Sequence, residues 1–260
     1  MEGHRLSKIR WYAEIIIYRT YAELKAEAAR GYLGILWWII EPLVYFAMFY
    51  FFFTVIRKQT DKYLIEFLLV GLAVWRAVAA TIPLGAQSIA MGKGLMRQLY
   101  LPKFIFPFVA VLTNFIKFLI IFLLLLTFLL ATGASPNMAW VTIPLLMLIQ
   151  FILLLGICGV LAAVVPFLPD LNQIINNLLM ILFFLSGVII DLNKVPAKFK
   201  WILFLNPLAV LISDYRRVLI DGQMPEWNSL ALVAAFALLL WGLASALMRH
   251  FDRIYPKAFM

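Results

Sequence analysis

The sequence contains few of the residues that usually build catalytic or metal sites. It has one cysteine, Cys158, and two histidines, His4 and His250, which lie near the ends of the chain. A single cysteine excludes an internal disulfide and a metal site built from several cysteines. Because Cys158 lies in an apolar segment, we expect its thiol to be a small packing group. The thirteen acidic residues are scattered along the chain, so no metal site is predicted.

Motifs for nucleotide binding and hydrolysis are also absent. No G-x-x-x-x-G-K-[ST] occurs, and the nearest fragment, Gly92-Lys93-Gly94, lacks the upstream glycine and the hydroxyl residue of a P-loop. The sequence has neither an H-E-x-x-H motif nor a nucleophile elbow. We therefore predict no catalytic residue, no enzymatic activity and no cofactor bound by this chain itself.

Charged residues are scarce, whereas apolar residues dominate. Of 260 residues, 65% are hydrophobic and 13% are charged, and the mean hydropathy is +0.98. These values are typical of a membrane protein with several spans rather than of a soluble domain. The net charge of +9 does not lie on a basic face of a soluble module. We assign it to membrane topology and contact with anionic lipid, and predict no nucleic-acid partner.

Six apolar segments are long enough to cross a bilayer, which requires about 20 helical residues. They cover residues 33–56, 64–90, 104–131, 140–165, 173–190 and 227–248. The sequence thus predicts an all-α membrane protein with a transmembrane domain over residues 33–260. Residues 1–32 carry six Lys or Arg and no long apolar core, which argues against a cleavable signal peptide. Apolar residues at spacings of three and four within 8–30 predict an amphipathic helix at the membrane interface.

The distribution of basic residues predicts that both termini are cytoplasmic. With six spans and the N-terminus inside, the cytoplasmic parts hold twelve Lys or Arg and the outer parts hold eight. Five of those eight lie in residues 191–226, among them Arg216 and Arg217. We expect these cations either to contact an anionic substrate or lipid, or to indicate a different topology.

The first span contains a carboxylate, Glu41, followed by Pro42. An ionised carboxylate facing lipid is costly, so Glu41 is expected to face other helices or a water-filled path. Helical spacing places it on one arc with aromatic residues, and we predict that this arc lines the substrate path. The arc comprises Gly34, Trp37, Glu41, Tyr45, Met48 and Phe52, with Trp38 at its edge. The alternative is that Glu41 pairs with a basic residue of another helix, for which Arg76 in the second span is the candidate.

Two connecting regions, one lysine in the third span and one group of polar residues near the fifth span complete the pattern. Residues 91–107 form a basic cytoplasmic loop with Pro102 and Pro107 near its end. Trp201–Ile212 is too short to span and contains Asn206-Pro207, which favours a re-entrant segment. In the third span, Lys117 is expected to snorkel or to pair within the bundle. Polar residues near the start of the fifth span join helices or line a path; they are Asp170, Asn172, Gln173, Asn176 and Asn177.

Several short motifs, in order along nearly the whole chain, resemble the permease subunits of ABC exporters for O-antigen, capsular polysaccharide and teichoic acid. They are Tyr32-Leu33-Gly34-Ile35-Leu36-Trp37, Glu41-Pro42-Leu43, Gly71-Leu72, Trp75, Ser88-Ile89, Leu95, Pro102-Lys103, Pro107, Ser186-Gly187-Val188, Val195-Pro196, Asn206-Pro207-Leu208, Tyr215-Arg216 and Gly222.

The resemblance implies a homodimer that works with two copies of a separate cytoplasmic ATPase, which binds the ATP and Mg²⁺, in the bacterial inner membrane. The substrate would be a lipid-linked or lipid-anchored glycan, on whose sugar faces aromatic side chains can stack. The N-terminal helix and the 91–107 loop would contact the ATPase, with Lys93, Arg97, Pro102 and Lys103 as contact residues. Short helices within 191–226 would form a periplasmic gate that includes Asn206, Pro207, Arg216 and Arg217. The alternatives are a drug or lipid permease of the same family, and an ion-coupled secondary transporter that uses Glu41.

Overall fold

The computed structural model describes residues 2–29, 33–52, 55, 63–96, 98, 101–189, 205–252 and 255, with side chains of the first helix described from residue 10. Every regular element in these ranges is a helix, which confirms the predicted all-α class. The helices are α1 (Glu2–Ala29), α2 (Trp37–Phe51), α3 (Leu64–Met91), α4 (Lys93–Met96), α5 (Ile105–Ala131), α6 (Ile143–Val164), α7 (Leu171–Leu185), α8 (Pro207–Leu219) and α9 (Trp227–Phe251). Short 3-10 helices, Gly34–Leu36 and Met138–Thr142, precede α2 and α6.

Four of these helices are long and apolar enough to cross a membrane, namely those containing α3, α5, α6 and α9. Within the described residues, the helices of the first and fifth predicted spans, α2 and α7, have 15 residues each, and residues 53 and 54 after α2 lie outside this description. At about 1.5 Å per residue such a helix measures roughly 22 Å, which is less than the roughly 30 Å of bilayer hydrocarbon. α7 ends before the predicted residue 190 because Gly187 has a φ of +69°, which turns the chain out of the helix.

Helix α3 lies at the centre of the bundle and contacts α2, α5, α6, α7 and α8. Helix α6 packs closely on α9, where Gly159 leaves no room for a side chain: a Cβ there would lie 2.7 Å from the Cβ of Ala244. The bundle has two ends. The described residues 92–96, 98 and 101–104 lie at one end, which we call the loop end, together with the last turns of α6 and α9. Helix α8 lies at the other, which we call the α8 end.

The predicted N-terminal helix is present and packs along the first half of α5. Near the loop end, the ring centroids of Tyr12 and Phe104 are 6.2 Å apart. Further along both helices, the Lys117 ammonium donates to both carboxylate oxygens of Glu27, each at 2.9 Å. Contacts therefore advance in the same direction along the two helices. The expectation that Lys117 pairs within the bundle is confirmed.

Candidate functional site

The carboxylate of Glu41 on α2 pairs with the guanidinium of Arg76 on α3, at 2.5 Å. The Arg76 Cζ atom also lies 5.1 Å from the centroid of the Tyr45 ring, one helical turn beyond Glu41. The pairing that the sequence offered as an alternative for Glu41 is therefore present. The Glu41 side chain remains 49% exposed and that of Arg76 21%, so the ion pair lies at the surface of a single chain.

The rest of the predicted arc also lies at the surface of the single chain. Trp37, Met48 and Phe52 are 51%, 53% and 44% exposed. Trp38, at the edge of the arc, is half-buried, and its ring centroid lies 5.8 Å from the Lys117 Nζ atom. Helical periodicity identified this face but did not specify what it faces. Within one chain it faces outward, so it does not belong to the core, and its role in a substrate path stays a prediction.

Helix α7 contacts α2 and also carries exposed residues. The rings of Phe49 on α2 and Phe183 on α7 are in contact, with centroids 5.8 Å apart. Near the start of α7, the amides of Gln173, Asn176 and Asn177 are exposed. They lie at positions i, i+3 and i+4, which places them on one side of the helix. We call the exposed residues of α2 and α7 together the α2–α7 face.

The described residues of the 91–107 loop lie at the loop end, and part of this loop packs against the end of α9. Lys103 is 5% exposed; its ammonium donates to the Leu101 carbonyl at 3.2 Å and lies 3.6 Å from Asp252. Lys93 is half-buried on the short helix α4, and Pro102 is half-buried just before Lys103. Arg97 lies outside the described residues. Lys103 is therefore buried within the single chain, and its predicted role in contact with an ATPase stays a prediction.

The predicted gate segment contains helix α8, and its first residues explain the Asn206-Pro207 pair. The Asn206 side chain accepts a hydrogen bond from the Leu208 N–H at 3.0 Å and donates to the Ser186 hydroxyl at 2.8 Å. An N-cap asparagine followed by proline at the first helical position is a favoured helix start. Asn206 thereby also connects α8 to the end of α7. Trp201–Phe204, the first part of the predicted re-entrant segment, lies outside the described residues.

Arg216 is the residue whose position differs most from expectation. The sequence predicted contact with an anionic substrate or lipid as one alternative, whereas the structure buries this side chain, which is 6% exposed. Its guanidinium donates to the backbone carbonyls of Gly187 at 2.6 Å and Val188 at 2.7 Å, and to that of Phe67 at 3.0 and 3.2 Å. It also stacks on the Phe67 ring. Arg216 thus joins α8, the start of α3 and the turn after α7.

The residues around Arg216 fix α8 further. The Tyr215 hydroxyl donates to the Gln150 side chain at 2.9 Å inside the bundle. The Asp214 carboxylate accepts from the Glu226 N–H at 3.0 Å, just before α9 begins. Arg217 is half-buried beside this group. Burial raises the pKa of Asp214 to about 6. Sequence reasoning did not identify Gln150, whose only signal is a polar residue within an apolar span, or Asp214, which lies in the polar run Ser213–Arg217.

Metal ligands are not brought together: the described part of the chain contains no group of three or more His, Cys, Asp or Glu placed to hold an ion. What the fold presents instead is a set of long apolar helices and one exposed face with aromatic, acidic and amide side chains. These features define a multi-pass membrane protein with an exposed polar face.

Comparison with known proteins assigns the class. The family model described as ABC-2 type transporter matches residues 17–220. The chain therefore belongs to this family of ABC transporter membrane subunits, as its motifs indicated. The "O-antigen export system permease protein RfbA" of Myxococcus xanthus is 29% identical over 90% of this chain and 91% of its own length. The Klebsiella pneumoniae protein of the same name is 27% identical over 89% and 90%. The Escherichia coli "Polysialic acid transport protein KpsM" is 23% identical over 87% and 89%.

Proposed function

We propose that this chain is the membrane permease of an ATP-driven exporter that moves a polysaccharide, such as a lipid-linked O-antigen, across the bacterial inner membrane. Family membership and the full-length similarity to permeases named for O-antigen and polysialic acid transport support this proposal. The ATP and Mg²⁺ would be bound by a separate cytoplasmic ATPase. Both termini and the loop end would lie on the cytoplasmic side, where α1 and the 91–107 loop would meet that ATPase.

The observation that carries the proposal is the α2–α7 face. Exposed amides on an apolar helix are costly in lipid, and a membrane protein turns such groups towards other helices or towards water. The carboxylate of Glu41 lies on the same exposed face. We infer that a second copy of the chain faces this surface and that the glycan passes between the two copies. Trp37 and Tyr45 would then offer rings on which sugars can stack while the polymer moves.

The α8 segment would close the outer end of this passage. Its 13 residues are too few to span the bilayer, and ten of them are buried. Hydrogen bonds of Asn206 and Arg216 connect it directly to the turn that ends α7. A movement of α7 would therefore be transmitted to α8. An ion-coupled mechanism is less well supported, because Arg76 already neutralises the Glu41 carboxylate.

Deletion of the gene in its host tests the proposal. We expect surface polysaccharide to disappear while the finished polymer accumulates inside the cell, and we expect the wild-type gene to restore export. The permease should co-purify with an ATPase, and an ATPase variant unable to hydrolyse ATP should reproduce the deletion. Normal surface polysaccharide in the deletion strain, with no internal polymer, would contradict the proposed function.

A further inference from the structure

A cavity of about 570 Å³ lies at the loop end, away from the α2–α7 face. Its walls come from the residues before and at the start of α5, from the second half of α6 and from the second half of α9. It shares no lining residue with the arc on α2 or with the amides of α7. The cavity is therefore separate from the proposed glycan path.

The close packing of α6 on α9 explains why a cavity forms here. Gly159 and Ala244 bring the two helices together, because a Cβ on Gly159 would already contact Ala244 at 2.7 Å. Small residues allow two helices to approach closely at such a crossing. Larger side chains, Phe108 from α5 and Trp241 from α9, line the cavity beside it. Trp241 is 49% exposed, so this groove reaches the outer surface of the chain.

The lining changes character along the groove. At the loop end it contains the charged residues Lys103, Arg249 and Asp252, and Ser245 lies one turn further in. Trp241 lies eight residues before Arg249 on α9, which corresponds to about 12 Å along the helix. Beside it, Leu155 and Phe108 complete an apolar section. A ligand that fits this lining has a charged group at one end and a hydrocarbon body directed towards the middle of the bundle.

The charges at the polar end favour an anion. Among the described residues, the charged side chains that line the groove are two cations and one acid, and the acid, Asp252, lies 3.6 Å from the Lys103 ammonium. Arg249 lies in the last turn of α9 and is exposed. Its guanidinium offers the paired donors that match phosphate oxygens. Basic pockets between membrane helices at the cytoplasmic side are suited to anionic lipid headgroups.

We propose that this groove binds one anionic diacyl phospholipid of the surrounding leaflet, with its phosphate on Arg249 near Lys103 and an acyl chain along Phe108, Leu155 and Trp241. The bound lipid would bridge α5 and α9 beside the 91–107 loop. It would thereby brace Pro102 and Lys103, which lie at the edge of the groove.

Lipid binding to the purified full-length chain in detergent tests this inference. Phosphatidylglycerol should raise the melting temperature more than phosphatidylcholine with the same acyl chains, and native mass spectrometry should show a retained phosphatidylglycerol. In Arg249→Gln, phosphatidylglycerol should bind about tenfold more weakly, the effect of losing one charge-assisted contact. Ser245→Phe, which fills the groove, should lower retention of both lipids. Arg10→Gln removes another exposed cation, which lies outside the groove, and it should bind phosphatidylglycerol like the wild type.

Three results would overturn the inference. Equal stabilisation by the two lipids, unchanged in Arg249→Gln, would show that no anionic headgroup is recognised. Full stabilisation by inorganic phosphate alone would show that the groove needs no acyl chain. A loss of dimers in Ser245→Phe, with lipid binding unchanged, would show that a second copy covers the groove. None of these results bears on polysaccharide export, so the proposed function is tested independently.

Discussion

The guanidinium of Arg76 lies between the Glu41 carboxylate, at 2.5 Å, and the Tyr45 ring, at 5.1 Å from its centroid. A second intramembrane cation, Lys117, lies in the same way between the Glu27 carboxylate and the Trp38 ring. Each cation comes from a long apolar helix, and each acid comes from the first 41 residues. The two ion pairs therefore hold α1 and α2 against the rest of the bundle.

Glu41→Gln should lower stability as well as export. It leaves the charge of Arg76, whose side chain is 21% exposed, without its counter-ion, and the expected cost is about 1–3 kcal/mol. Thermal unfolding in detergent measures this cost. The charge swap Glu41→Arg with Arg76→Glu should recover most of the lost stability. Glu14→Gln is the matched control, since its ion pair with Arg10 is exposed and should contribute little. If Glu41→Gln melts like the wild type, the ion pair does not hold α2 in place.

Gly71→Ala should destabilise the α8 end. A Cβ at Gly71 would lie 2.3 Å from Nη2 of Arg216 and 3.0 Å from the Val188 carbonyl oxygen. Arg216 would have to give up part of its hydrogen bonding to backbone carbonyls, so we expect a loss of about 1–3 kcal/mol. Gly242→Ala provides the control, because a Cβ there meets no atom within 4 Å of the described structure. That helical substitution should stabilise by up to about 1 kcal/mol. Equal melting temperatures for the two variants would contradict the role assigned to Arg216.

Asp214 should make stability depend on pH. Its pKa in the folded chain is about 6, raised by burial from 3.8, so between these values the folded chain holds a proton that the unfolded chain has released. Stability should therefore fall as pH rises from about 4 to 6, by about 3 kcal/mol, and stay lower above pH 6. In Asp214→Asn, which keeps an acceptor for the Glu226 N–H, this decline should be absent. Melting temperatures of both proteins at intervals from pH 4 to pH 8 provide the measurement. Parallel profiles would rule out Asp214 as the cause.

The long helices could be predicted because long apolar runs are visible in the sequence. The Glu41 pair could be predicted because few charged residues lie within the predicted spans. The helices α3, α5, α6 and α9 each contain more than 20 mostly apolar residues. Only two cations lie in the predicted spans, so the choice of partners for Glu41 was small. Helix α7 ends earlier than its apolar run because Gly187 turns the chain, and hydropathy does not report backbone conformation.

The position of Arg216 could not be predicted, for a different reason. Its partners are the backbone carbonyls of Phe67, Gly187 and Val188. Because every residue has a backbone carbonyl, the residue types do not show which ones will accept a hydrogen bond. Charge alone therefore suggested contact with an anionic substrate or lipid, or a different topology. Helical periodicity also could not predict that the α2–α7 face points outward from the single chain. Periodicity identifies a polar side of a helix but not the molecule that covers it.

The most direct test of whether the α2–α7 face lines the path replaces Asn177 with cysteine. It measures the reaction of that cysteine with a water-soluble thiol reagent, together with export. In a Cys158→Ala background, a cysteine is placed at Asn177 on α7 or at Leu239 on α9, which is 64% exposed and apolar. Both proteins are treated, in membranes containing the ATPase, with a permanently charged methanethiosulfonate. We predict that the cysteine at 177 reacts and that its modification stops polysaccharide export, while the cysteine at 239 faces lipid and does not react. Full modification at 177 with export unchanged, or reaction at 239 alone, would contradict the account.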